Sequence, residues 1–186
     1  FALARAGYSK LLGARGTEVS AYGYIARSKV GDGLNEIGGD SAEVSLAVSH
    51  PFLRSRELSV GGEVKFSLRD AEQDRRGLRL REDRLATLTA SLLAYGKPGE
   101  GRGSLRLAVV QGLDAFGATE EGDLLSSRRD GSGVFTKVEF WGSYVRPIGE
   151  DVSIRLQAEG QAASRALLVS EEMGLGGRYM LRGYDY

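Results

Sequence analysis

The chain has 186 residues, no cysteine, three prolines and a net charge of zero. A disulfide framework, a Cys-based metal site and electrostatic capture of nucleic acid are therefore not expected. At 41% hydrophobic and 27% charged, its composition is that of an ordinary globular domain, and only its 27 glycines stand out.

No stretch approaches the ~18 apolar residues of a membrane-crossing helix. The opening Phe1-Ala2-Leu3-Ala4-Arg5-Ala6 lacks the apolar core of a signal peptide. Barrel strands alternate and leave no hydropathy peak, so a β-barrel membrane protein stays open.

Taken in chain order, strands are expected over residues 1–11, 18–30, 42–52, 58–70, 83–96, 104–119, 134–147 and 152–162. The period is two. Over 58–70, Leu58, Val60, Val64, Phe66 and Leu68 oppose Ser59, Glu63, Lys65, Ser67 and Arg69. Over 152–162, Val152, Ile154, Leu156 and Ala158 oppose Ser153, Arg155, Gln157, Glu159 and Gln161. The third strand sets Val44, Leu46 and Val48 against Glu43, Ser45 and Ser49. Successive side chains on a strand point to opposite faces, so each of these has one apolar and one polar side. At roughly 11–16 residues the strands exceed the ~5–6 of an average soluble strand and suit a tilted crossing of an outer membrane.

Connections sort by length. Those at 13–16, 53–56, 97–103 and 148–151 are short; those at 31–40, 71–82, 120–133 and from about 167 onward are long. Strict alternation of short and long is what an up-and-down meander gives when its two ends face different compartments. Tyr22, Tyr24, Tyr95, Phe116, Phe140, Trp141 and Tyr144 sit in or near strand ends, where an interfacial girdle would lie, although aromatics are common in any strand.

Catalytic chemistry is not indicated. His50 is the single histidine and has no second histidine to complete a zinc site or dyad. Gly39-Asp40-Ser41 reads as a turn, and the Gly99, Gly101, Gly103 spacing lacks the following helix that a phosphate cradle requires. No enzyme activity, metal or cofactor is expected. Arg75, Arg76, Arg79, Arg81 and Arg84 read as a basic loop, and Arg128-Arg129 as another, able to meet lipopolysaccharide phosphates but equally at home in water. The polar faces bearing Glu63, Lys65, Arg69, Arg155, Gln157, Glu159 and Gln161 would line a water-filled lumen if the apolar faces meet lipid. With the faces reversed, the same pattern describes a soluble β-sandwich or ligand-binding barrel.

Near the end, Gly176-Gly177 is followed by Arg182-Gly183-Tyr184. This resembles the signature loop of the two-partner-secretion transporters of the TpsB type, the haemolysin and haemagglutinin secretion/activation proteins related to the BamA-like assembly factors. The stretch from Ser104 to Gly117 is also similar to a strand of that family. The resemblance implies an all-β, antiparallel, up-and-down transmembrane β-barrel of about sixteen strands. Residues 1–166 would supply about eight of them, and 167–186 the start of a loop that folds into the lumen. It implies that Arg182, Gly183 and Tyr184 match the loop's Arg-Gly-aromatic motif and that Gly176 and Gly177 match its glycine pair. Met180-Leu181 depart from the family's usual small residue and valine.

By the same resemblance the arginine meets an acidic residue on a later strand, and POTRA domains are expected upstream of this central piece. The implied function is secretion of a TpsA-type exoprotein, haemolysin or adhesin, across the outer membrane of a Gram-negative bacterium, in contact with lipid and lipopolysaccharide. A BamA/TamA-like assembly factor and a soluble ligand-binding β-barrel are the competing readings.

Overall fold

The computed structural model describes residues 1–31 and 37–174. Eight antiparallel strands lie in one sheet in chain order: β1 (Ala2–Leu12), β2 (Thr17–Val30), β3 (Ile37–Arg54), β4 (Leu58–Arg75), β5 (Leu78–Gly96), β6 (Arg102–Gly112), β7 (Thr136–Ile148) and β8 (Val152–Ala163). Each pairs only with its sequence neighbours, so the sheet is an open up-and-down meander whose two edges are β1 and β8. A 3-10 turn, Val169–Glu171, follows β8.

The alternation seen in the sequence becomes two faces because the registers agree. Val48, Val64, Ala90, Val109, Val138 and Ala162 are successive cross-strand partners from β3 to β8. Side chains on this apolar face are left uncovered: Leu46 is 57% exposed and Leu156 61%. On the other face Ser45, Ser67, Thr87, Thr89 and Ser91 are buried. A soluble sheet would show the reverse, since the apolar face carries the transfer free energy that drives burial.

Three connections differ from expectation. Residues 37–40, expected within a long loop, already belong to β3, so Gly39-Asp40-Ser41 is strand and not a turn. Residues 71–82, expected as a long loop, extend β4 and β5 into a ribbon closed by Arg76-Gly77. Both turn residues have positive φ, 55° and 75°, the geometry of a two-residue hairpin whose twist matches its strands. Of the arginines read as a basic loop, Arg75, Arg79, Arg81 and Arg84 are instead strand residues, and only Arg76 lies in the turn. Arg79 pairs with Glu72 and Glu82, and Arg84 with Asp70 and Glu82. Cross-strand charge complementarity is thus what lets so polar a stretch pair as β-structure.

The expected strand over 104–119 stops at Gly112. Beyond it residues 113–119 run along the freed edge of β5, with the Leu113 amide donating to the Ala86 carbonyl at 2.8 Å and the Thr119 amide to the Arg84 carbonyl at 3.0 Å. Asp83 accepts from the Ser127 amide at 2.8 Å, which holds the far side of the loop. Leu85, Val110, Phe135, Leu167 and Leu168 form a small buried cluster beneath this cap. The aromatic girdle is only partly realised. Register puts Tyr22, Tyr24, Tyr95 and Trp141 on the polar face and Phe140 and Tyr144 on the apolar one.

Gly112 is the pivot. A Cβ there would lie 2.1 Å from the Gly133 carbonyl oxygen and 2.9 Å from the Phe135 ring. Gly112→Val is therefore expected to lower unfolding stability by about 1–3 kcal/mol, as overpacking does, when measured by urea titration of the detergent-folded protein. Gly160→Ala, where nothing lies within 4 Å of the new methyl, should change it little.

Candidate functional site

Two neighbouring rows on the polar face carry charge of opposite sign. Glu18, Ser49, Glu63, Ser91, Ala108, Glu139 and Gln161 form one line of successive partners from β2 to β8. The next line, two residues along each strand, runs Ala47, Lys65, Thr89, Val110, Lys137 and Ala163. An acidic and a basic row are thus neighbours, and Lys137 meets Glu139 of the adjacent row at 2.8 Å.

All seven residues proposed from sequence share this face. Glu63, Lys65 and Arg69 are half-buried on β4, whereas Arg155, Gln157 and Glu159 lie exposed on β8 and Gln161 is half-buried at its end. The structure draws Arg69 and Gln161 into one network and leaves Arg155 and Gln157 apart from it.

That network is centred on Glu171, in the turn that follows β8. Arg69 donates to Glu43 Oε2 from Nε at 2.9 Å and from Nη2 at 2.6 Å, and its Nη1 reaches Glu171 Oε1 at 3.3 Å. Lys137 Nζ lies 2.8 Å from Glu171 Oε2, 2.8 Å from Glu139 Oε1 and 3.1 Å from the Glu171 carbonyl oxygen. Gln161 Nε2 donates to that same carbonyl at 3.0 Å. Lys137 is 5% exposed, and its ammonium stands 5.9 Å from the centre of the Phe135 ring. A neighbouring polar recess of about 250 Å³ is bordered by Lys65, Ser67, Thr87, Thr89, Arg106 and Glu139.

A second ion pair, at the exposed rim, joins Arg128 of the 113–135 loop to Glu172 and Asp130. Hydrogen bonding to Asp130, then to Glu172, raises the Arg128 pKa, and the bond from Arg128 holds the Asp130 carboxyl below its ordinary value.

Sequence reasoning passed over Lys137, Glu139, Arg106 and Glu171. For Lys137 and Glu139 the signal existed, since they alternate with Val138 and Phe140. Glu171 offered none, because its partners lie 34 and 102 positions away. Gly176, Gly177, Arg182, Gly183 and Tyr184 lie outside the described residues. Among the described residues no cluster of carboxylates and histidine could hold a metal ion.

Arg69→Ala removes the cation that contacts both Glu43, 7% exposed, and Glu171, 11% exposed. The expected cost is about 3–5 kcal/mol, as for other broken buried pairs. Arg27→Ala, which breaks an exposed pair with Asp40, should cost far less. Thermal unfolding of the two variants in the same detergent checks the contrast.

The fold is similar to that of CdiB from Escherichia coli, with a TM-score of 0.72 and 21% sequence identity over 90% of this chain and 32% of CdiB. The chain spans about a third of that protein's length. No curated protein matches it. The sequence profile described as haemolysin secretion/activation protein ShlB/FhaC/HecB matches residues 6–186. That match takes in β1 from Ala6 onward, the other seven strands and the segment after them, and the chain belongs to the haemolysin secretion/activation protein family.

Proposed function

We propose that this chain is the membrane-embedded part of an outer-membrane translocator, which passes a TpsA-type exoprotein of the haemolysin or adhesin class through the lumen of a β-barrel. The observation that carries the reading is the inverted sheet: exposed apolar side chains on one face, buried and ion-paired polar ones on the other. In lipid that arrangement is the stable one, because hydrocarbon surrounds the apolar face and neighbouring strands pair their backbone groups, the outer edges of β1 and β8 being left for further strands of the full barrel. At ~3.3 Å per residue, strands of the length of β7 and β8 are sufficient for a tilted crossing.

On this reading Glu63, Lys65, Arg69, Arg155, Gln157, Glu159 and Gln161 face the conduit. Residues 1–166 form wall, and residues 167–186 begin the loop that enters the lumen. Gly176, Gly177, Arg182, Gly183 and Tyr184 seat that loop, with the carboxylate for Arg182 supplied elsewhere in the full protein, by a bidentate contact suited to guanidinium. POTRA domains would precede the barrel and receive the exoprotein, and lipid with lipopolysaccharide would surround it. Transport would need no cofactor and no catalytic residue. A soluble ligand-binding barrel is disfavoured, since its apolar faces would be turned inward and covered.

Leu46→Arg, on the apolar face, is expected to lower the stability of the membrane-folded protein by about 2–4 kcal/mol if it lies near the bilayer midplane. Glu63→Arg, on the polar face, should be far milder. Equal tolerance of both, together with a purified chain that stays monomeric without detergent, would reject the membrane assignment. In the full-length protein, Arg182→Ala should reduce exoprotein release into the medium while membrane insertion persists. Undiminished secretion would remove the role given to Arg182.

A further inference from the structure

Glu171 belongs to no strand, yet it sits between cations of two strands that are not neighbours, β4 and β7. Its two carboxylate oxygens are divided between them, Oε1 to Arg69 and Oε2 to Lys137. Each of those cations also holds a carboxylate of its own from the wall, Arg69 that of Glu43 and Lys137 that of Glu139. The geometry points to a latch. We propose that Arg69 and Lys137 form a carboxylate seat in the wall, and that Glu171 is its built-in occupant, fastening the segment 169–174 across the polar face.

Three observations favour a releasable fastening over a permanent one. First, the usual penalty for breaking a buried pair is a stranded charge. When Glu171 leaves, Arg69–Glu43 and Lys137–Glu139 remain as complete pairs, so neither cation is stranded. Secondly, the segment's permanent attachment lies just upstream, where Leu167 and Leu168 are buried with Leu85, Val110 and Phe135. That cluster can stay in place while the residues after it swing away. Thirdly, the remaining ties of 169–172 are few: the Glu171 carbonyl accepts from Gln161 Nε2 at 3.0 Å and from Lys137 Nζ at 3.1 Å, Val169 donates its amide to the Ser127 hydroxyl at 3.1 Å, and Glu172 pairs with Arg128 at an exposed rim.

The vacated seat is selective for one chemistry. Two cations with a polar recess beside them recognise a carboxylate, and a side-chain carboxylate of an unfolded polypeptide reaching the wall could take the place of Glu171. That the latched segment stands in a transport conduit rests on the secretion reading above. The latch itself does not.

The test is hydrogen–deuterium exchange of the full-length, detergent-folded protein. Glu171→Gln, which keeps the shape but removes the charge, is expected to raise exchange of the amides of residues 169–172 at least tenfold. The peptides covering 137–148 and 164–168 should be unchanged. Lys137→Gln, made separately, should produce the same selective release, because it takes away the cation with two contacts to Glu171. Glu172→Gln, at the rim, should change exchange less than threefold. Protection of 169–172 that is unaltered in Glu171→Gln or in Lys137→Gln would overturn the latch, as would a Glu172→Gln effect as large as that of Glu171→Gln. This readout is independent of secretion, so loss of the secretion reading alone leaves its outcome intact.

Discussion

Register is the constraint on which this molecule depends. Seven antiparallel pairings must agree to the residue, because a slip of one position in any strand would carry its whole polar set to the apolar side. The agreement is visible in the two charged rows, where Lys65 aligns with Lys137 across three intervening pairings and Glu63 with Glu139. Two irregularities, at Pro51/Leu53 and Gln73/Asp74, are confined to the outer parts of β3 and β4. The first absorbs a proline that cannot donate to a ladder. The middle of the sheet, where the ion-paired network lies, is free of them.

Pairing of this kind also explains what could be read in advance. A period of two is a local property, so the strands from Leu58 and Val152 were legible from their own side chains, and so were the faces of Glu63, Lys65 and Gln161. The ends of strands were not. Residues 71–82 are as polar as any loop, and the Arg76-Gly77 turn, with Arg79 partnering Glu72 and Arg84 partnering Asp70 across it, turns them into a ribbon. The limit of β6 was hidden in the opposite way. Residues 113–119 continue along β5 without forming a regular strand, and what stops the strand is the approach of the Gly133 carbonyl to Gly112, a contact between segments that composition does not report.

The site divides along the same line. The alternation of Lys137 and Glu139 with Val138 and Phe140 was present in β7 but shorter than in β4, and it was passed over for that reason. Glu171 had no periodicity at all, since it lies beyond the last strand and gains its environment only when β4 and β7 bring Arg69 and Lys137 to it. A half-buried acid shared by two cations is chemically conspicuous in three dimensions and ordinary in one. Its neighbour Glu172, identical in side chain and adjacent in sequence, is exposed at the rim. Burial and partners separate the two residues.

On the secretion reading, adjacent rows of opposite charge have a consequence for a wall past which an unfolded chain would move. A single-signed lining would hold segments of opposite charge and repel those of like charge, and because field lines concentrate in a low-dielectric channel the effect on either would be large. Rows of opposite sign placed two residues apart cancel within a few ångströms, less than the ~8 Å over which salt screens charge at physiological ionic strength. Seen from the middle of a wide lumen, such a wall is nearly neutral; at contact it offers both signs. Where one carboxylate is shared by two cations, at Arg69 and Lys137, the face ties down a segment beyond the last strand, and that segment is the chain's own.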